Sequence, residues 1–235
     1  MCQSFKAVFF DLDETLRIPI PSPSAALISV ARSLELPIHP DGEQRVKRFA
    51  HEFWGQEALI RSEMERLGTD GFWLHYSKLG LEIAGGQGEL HQPATAVRDW
   101  FFHEYKPLVS LAHGALDTLY ALKNMGHRLG LISNRSEPLD HAVQELGLNG
   151  IFDITLAAGE ISCWKPDPGI FKHALAQFDG LQPSECLYVG DNYFADGVGA
   201  MQAGLTPVIY DPDHLYMEGD YLRISHMSEL LPLIA

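Results

Sequence analysis

An α/β domain with a mostly parallel sheet, interrupted near its start by an all-helical subdomain, is the fold class the sequence predicts. Apolar strand-like runs and helical segments alternate through the C-terminal half, the pattern of a parallel sheet with helical crossovers. From Ser24 to about Tyr105 the apolar spacing is helical throughout, with few β-branched runs. Three apolar strands end in polar groups: Asp11 and Asp13, then Ser133 and Asn134, then Asp191. In open α/β sheets ligands bind at the carboxyl ends of strands, so these groups are expected to converge there.

The elements follow in order. KAVFFD (Lys6 to Asp11) is a short continuous apolar run, as a strand buried on both faces requires. RIPIPSPS carries three prolines and reads as a stiff, extended linker without regular helix. AALISVARSLEL, EQRVKRFAHEFW, ALIRSEMERLG, GFWLHYSKLGLEIAG and ATAVRDWFFHEY then read as helices, separated by Gly and Pro. Phe53, Trp54, Phe72, Trp73, Trp100 and Phe101 lie in them, either as interhelical core or as the lining of a pocket. Beyond Pro107, Gly114 to Met125 reads as an amphipathic helix and HRLGLISN as a buried strand with a polar end. Pro138 to Leu146 is a helix stopped by Gly147, and DITLAA a short strand. Pro168 to Phe178 is a helix with proline near its start, and CLYVGD a strand with an acidic end. Phe194 to Ala203 is a helix closed by Gly204, and TPVIYD a final strand.

Composition narrows the function classes. The chain has 235 residues, enough for one core domain with an insert. Its net charge is -14, from 31 acidic against 17 basic residues, and no block of Lys and Arg interrupts that balance. Such a surface repels nucleic-acid backbones and anionic lipid. An anionic substrate then needs local neutralisation by a metal ion or a few placed cations. Cys2, Cys163 and Cys186 are scattered and odd in number, which argues against a disulfide framework or a zinc site. No signal peptide or membrane-length apolar run is recognised, so a cytoplasmic location is expected.

Four stretches carry candidate chemistry. In DLDETL, Asp11 and Asp13 stand two apart on one side of an extended chain, where their charges repel. A divalent cation held by oxygen ligands, magnesium above all, relieves that; capping a turn is the alternative. Ser133, with backbone N–H groups beside it, suits a phosphoryl oxygen or caps the next helix. Lys165, fixed by Pro166 and Pro168, is either a placed counter-charge or a solvated lysine. In GDNYFAD, Gly190 permits close approach at the strand end, Asp191 is a metal-ligand candidate, and Asp196 orients the metal shell or Lys165. For Asp196 an exposed acid in a helix's first turn is the alternative.

DLDET, a strand ending in Ser133, Lys165 before Pro-Asp-Pro, and GDNYFAD, in that order, resemble the four motifs of the haloacid dehalogenase-like hydrolase superfamily, over essentially the whole chain. The resemblance implies a Rossmann-like core at residues 1–16 and 108–235 and an inserted helical cap at 17–107. It implies a magnesium-dependent phosphomonoesterase of the phosphatase branch, acting on a small phosphorylated metabolite, as a monomer or homodimer. Asp11 would be the nucleophile that becomes an aspartyl-phosphate. Asp13 would be the general acid and base, and its carbonyl a magnesium ligand. Thr15, Ser133 and a backbone N–H near Asn134 would hold phosphoryl oxygens, with Lys165 neutralising charge. Asp11, Asp13 and Asp191 would form the metal set, and Asp196 would orient it.

Three departures stand out. Glu14 replaces a glycine common in the phosphatase branch and is expected to point away or pair with Arg17. Arg17 replaces a small or apolar residue and is expected to form a salt bridge. Pro19, Pro21 and Pro23 differ from the usual hinge. The rival activities are a phosphomutase, a dehalogenase (for which the acid at Asp13 is unnecessary) and a phosphonate hydrolase, which needs a cap lysine such as Lys47 or Lys78. A binding module without catalysis is the non-enzymatic alternative.

Overall fold

The computed structural model describes residues 5–216, 219 and 221–234; Cys2 lies outside them. The order begins β1 (Ala7–Phe10), β2 (Arg17–Ile20), α1 (Pro23–Ser33), α2 (Gly42–Trp54), α3 (Glu57–Ala84) and α4 (His91–His103). It continues β3 (Leu108–Leu111), α5 (Ala115–Asn124), β4 (Arg128–Ser133), α6 (Asp140–Glu145), β5 (Ile154–Ala157), α7 (Ala158–Ile161) and α8 (Pro168–Leu175). Then come β6 (Cys186–Gly190), α9 (Val198–Ala203), β7 (Thr206–Tyr210), β8 (Leu222–Ile224) and α10 (Leu231–Ile234). The chain divides into two compact units, residues 1–18 with 109–235, and residues 19–108. The divisions fall inside β2 and β3, which pair as a two-stranded sheet.

The first unit is an α/β domain. Its six strands lie in the order β5-β4-β1-β6-β7-β8, every neighbouring pair parallel. Both faces of β1 are covered, which is why AVFF shows no polar alternation. Val8 and Phe10 enter one core with Leu119, Leu129, Leu131, Val189 and Val208. Ala7 and Phe9 enter the other with Ile132, Ile170, Phe171, Ala174 and Tyr188. The chain passes from β1 to β4 and β5 on one side and then crosses back over β1 to β6, β7 and β8 on the other, so the direction of winding reverses between β1 and β6.

The second unit is all-helical. α1, α2, α3 and α4 close around Leu27, Ile28, Ala31, Val46, Leu81, Ala84, Leu90, Ala94 and Val97. Phe53 and Phe72 are buried, with Trp54, Trp73 and Tyr76 half-buried beside them and the Trp54 indole N–H donating to the Tyr76 hydroxyl at 3.1 Å. Ring pairs such as Phe53–Tyr76 (5.0 Å) and Trp54–Phe72 (6.1 Å) make this a packing cluster within the unit.

Several local expectations are corrected. The proline-rich linker is ordered as β2 followed by α1, because Pro23 sits at the first helical position, where its missing N–H is not needed, and the Ser22 hydroxyl accepts from the Ala25 N–H at 3.2 Å. The two helices expected across residues 58–85 are, by contrast, present: α3 comprises both, meeting at a kink at Gly68, whose φ of 67° and ψ of 169° lie outside the helical region. The helix expected from Phe194 begins instead as a wide π-type turn at Tyr193–Gly197, leading into α9. β3 and β8 were not anticipated.

Candidate active site

The reversal of strand order sets the carboxyl ends of β4, β1 and β6 side by side. Asp11 follows β1 directly, and its N–H donates to the Val189 carbonyl at 2.8 Å, extending the ladder by one residue. Ser133 closes β4 and Asp191 follows β6. Both are buried. The Ser133 hydroxyl makes no hydrogen bond among the described residues.

Lys165 comes from outside the sheet and is fixed through its main chain. The Asn134 side chain donates to its carbonyl at 2.9 Å and accepts from its N–H at 2.7 Å. Asp167 caps α8 by accepting from the Gly169 N–H at 2.7 Å, with Pro168 opening the helix. The side chain is 3% exposed, so the solvated-lysine reading does not hold. Its ammonium donates to Asp11 at 2.5 Å, Asp196 at 2.6 Å and the Tyr188 hydroxyl at 3.0 Å. Burial works against that ammonium, but Asp11, then Asp196, outweigh it and hold its pKa well above the usual lysine value.

The acids show the converse. Burial, reinforced by the charges of Asp196 and Asp191, raises Asp11 well above the ordinary carboxylate range, against the pull of Lys165. Burial, reinforced by Asp191, likewise raises Asp196. Asp196 is buried inside the π-type turn, not exposed in a first helical turn. The turn is closed by the Asn192 side chain, which accepts from the N–H groups of Phe194 and Ala195. Asp196 itself accepts from the Asn192 N–H at 3.0 Å. Gly190 makes this possible: a Cβ there would lie 2.3 Å from the Asp196 carboxyl carbon.

Asp11, Asp191 and Asp196 each bring an oxygen within 4.8 Å of the others. The one ammonium pairs with Asp11 and Asp196, so the three buried carboxylates keep an acidic surplus, and the donor set fits a hard divalent cation bound through oxygen. The Thr15 hydroxyl, expected on a phosphoryl oxygen, donates here to Asp191 at 3.0 Å.

Asp13 is positioned differently. The turn that follows β1 is tied by the Leu16 and Arg17 N–H groups to the Leu12 carbonyl, with Glu14 at φ 62°. The Asp13 carboxylate is 40% exposed and is held by arginines. Arg135 engages it through Nε at 2.6 Å and Nη2 at 2.7 Å, and Arg17 through Nη1 at 3.3 Å. Arg17 also reaches Glu145 at 3.3 Å. The expected salt bridge of Arg17 is therefore present, with Asp13 and Glu145. The repulsion expected between Asp11 and Asp13 is answered at Asp13 by these two guanidinium groups.

Two residues of the site went unread in the sequence. Tyr188 sits in the apolar strand CLYVG and looks like core, yet its hydroxyl also lies within hydrogen-bond reach of Asp196 at 3.2 Å and the Ile132 carbonyl at 3.1 Å, either of which can accept its one proton. Arg135 follows Ser133 and Asn134 as a lone loop arginine; its position after a strand ending in candidate site residues was the one available signal.

The sequence profile of a haloacid dehalogenase-like hydrolase matches residues 5–204. The chain is 30% identical to a ribulose-1,5-bisphosphate 5-phosphatase of Halopiger xanaduensis, over 88% of this chain and 84% of that protein. It is 31% identical to (S)-2-haloacid dehalogenase 4A of Burkholderia cepacia, over 59% and 61%. Among solved structures, a putative HAD-hydrolase from Bacillus subtilis bound to magnesium superposes with a TM-score of 0.60 at 18% identity, covering 98% of this chain and 99% of that one, a likeness of fold.

Proposed function

The chain belongs to the haloacid dehalogenase-like hydrolase family, and from that premise we propose that it is a magnesium-dependent phosphomonoesterase of small phosphorylated metabolites. The observation that carries this reading is the buried cluster of Asp11, Asp191 and Asp196, with one ammonium paired to Asp11 and Asp196. Three carboxylates against one ammonium leave a surplus of negative charge, which a divalent cation would balance and which an anionic phosphoryl group could then approach. A dehalogenase shares the nucleophile, but its halide leaving group needs no proton and its chemistry no metal, so the carboxylate of Asp13 and a metal-ready acidic cluster favour the phosphatase reading over it.

In this reading an Asp11 oxygen attacks phosphorus, the ester P–O bond breaks, and Asp13 gives a proton to the leaving oxygen. Asp13 then takes a proton from water as that water attacks phosphorus and the Asp11–phosphorus linkage breaks, releasing inorganic phosphate. Lys165 holds Asp11 in line and offsets charge on the transferring group. Ser133 and the N–H groups near Asn134 hold phosphoryl oxygens. Asp11, Asp191 and the Asp13 carbonyl would hold magnesium, with Asp196 orienting Lys165 and that shell; the metal supplies charge neutralisation at the phosphoryl oxygens. The helical unit is read as the cap that sets substrate choice, and the protein as cytoplasmic.

Hydrolysis of p-nitrophenyl phosphate, with magnesium or with EDTA, tests this on the wild type and Asp11→Asn. Magnesium-dependent release, lost in the variant, is expected. Full activity in Asp11→Asn would refute the covalent mechanism.

A further inference from the structure

Arg135 is the more exposed of the two arginines of the site, and it keeps hydrogen-bonding capacity in reserve on one whole edge. Lys165 is 3% exposed and committed to Asp11, Asp196 and Tyr188. Arg17 divides its guanidinium between Asp13 and Glu145. Arg135 meets Asp13 side-on, through Nε and Nη2, and its side chain is 34% exposed. Among the described residues its Nη1 makes no hydrogen bond. A guanidinium presents five N–H groups in a flat fork, so a side-on carboxylate leaves the end-on edge, Nη1 with the second Nη2 hydrogen, open to another oxyanion.

The loop beneath Arg135 is fixed on both sides. Its carbonyl accepts from the Gly159 N–H at 3.0 Å. Gly159 allows that approach, since a Cβ there would lie 2.0 Å from the Ser136 carbonyl oxygen. On the other side Asn134 is clamped to the Lys165 main chain. Arg135 therefore stands at a set place, one residue from the Asn134 clamp and against Asp13, the group read as serving the leaving oxygen. In that reading it would face the leaving part of the substrate. In a chain of net charge -14, a partly exposed guanidinium with an open edge is a selective place for negative charge.

We infer that Arg135 recognises a second anionic group, a carboxylate or a phosphate, on the leaving side of the substrate. The substrate class is then a phosphomonoester with two anions, and the inference rests on the phosphohydrolase reading of the same site. A charge-assisted pair of this kind is worth roughly a tenfold to hundredfold preference over an ester lacking the second anion.

Calorimetric binding tests it, on Asp11→Asn protein in magnesium so that no ligand turns over. The probes are methyl phosphate, 2-phosphoglycolate and 1,2-ethanediol bisphosphate, each with Arg135 and with Arg135→Gln. One or both doubly anionic probes are expected to bind about tenfold or more tightly than methyl phosphate with Arg135 present, and to lose that margin with Gln. Whichever probe gains identifies carboxylate or phosphate as the preferred group. Arg135→Lys, which keeps the charge without the fork, should retain part of the margin and serves if the Gln variant fails to fold. Equal affinities for all three probes, no binding of any, or a preference that survives Arg135→Gln would overturn the inference. Hydrolysis of p-nitrophenyl phosphate by the wild type reports separately on the underlying reading. A chain that shows the binding preference but never releases phosphate keeps the role of Arg135 and loses that of phosphohydrolase.

Discussion

The two units bury different things. Among the described residues, every buried carboxylate and the one buried ammonium belong to the α/β unit: Asp11, Lys165, Asp191, Asp196 and Asp211. Four of these five meet at the ends of β1 and β6. The helical unit buries aliphatic side chains and rings, with Ser24, His51 and Ser77 as its buried polar residues. Burying a charge costs several kcal/mol unless it is paired, so a fold that concentrates charges at one strand edge marks that edge as the candidate site. Burying Phe72 needs no such explanation. In the proposed reading the difference gives the reacting groups to one unit and leaves packing and substrate contacts to the other.

Replacing Lys165 tests this contrast most severely. Lys165→Met leaves Asp11 and Asp196 buried without their counter-charge, and without magnesium it should cost about 3–5 kcal/mol of stability at neutral pH. The loss should depend on pH with a defined sign. Both acids already have folded pKa values raised above the ordinary 3.8, through burial first. Stability linked to such groups is fully present below the unfolded value and falls as pH rises through the folded one. Removing the ammonium raises the folded values further. The deficit of Lys165→Met, read from urea unfolding in EDTA, should therefore widen from pH 5 to pH 8. A deficit that narrows over that range would mean the two acids are not the groups left uncompensated.

In the helical unit the matching substitution is Phe72→Ala. Removing a fully buried ring that packs on Phe53, Trp54 and Trp73 should cost about 3–5 kcal/mol, a value without marked pH dependence. Hydrogen exchange should quicken in α2 and α3 while the amides of β1, β4 and β6 keep their protection. Equal quickening in the sheet would show that the two units open as one, and the contrast between them would lose its energetic meaning.

The smallest effect concerns a single atom on β6. Burial pushes the Cys186 thiol up to about 12, so it stays protonated at pH 8 and should resist iodoacetamide in the native chain. Cys163 is half-buried and should be alkylated first, as peptide mass spectrometry would reveal. Alkylation of Cys186 at the rate of Cys163 would show that β6 opens far more readily than its burial allows.

Much of the fold was legible because periodicity is local. AVFF and LYVG announce strands buried on both faces, and the helical spacing of residues 24–105 announces the insert. Where the reading slipped, a local rule met a second one. Three prolines argued for a linker, but Pro23 at a first helical position and an extended RIPI are both compatible with proline. The π-type turn at Tyr193–Gly197 differs from an α-helix by one residue per hydrogen bond, which apolar spacing cannot register.

The sequence by itself determined most of the core strands and helices, the strand ends that carry polar groups, and the family through four motifs in order. Tertiary structure alone decided the pairings. Lys165 meets Asp11 across 154 positions, and Arg135 meets Asp13 across 122. Tyr188 looks like one more apolar strand residue until β4 and the turn after β6 bring the Ile132 carbonyl and Asp196 to its hydroxyl. The physical reason is range. Patterning records which face of an element is buried, a matter of a few residues. Which charge answers which depends on strand order and on loops clamped from afar, and neither is written in any one stretch of the chain.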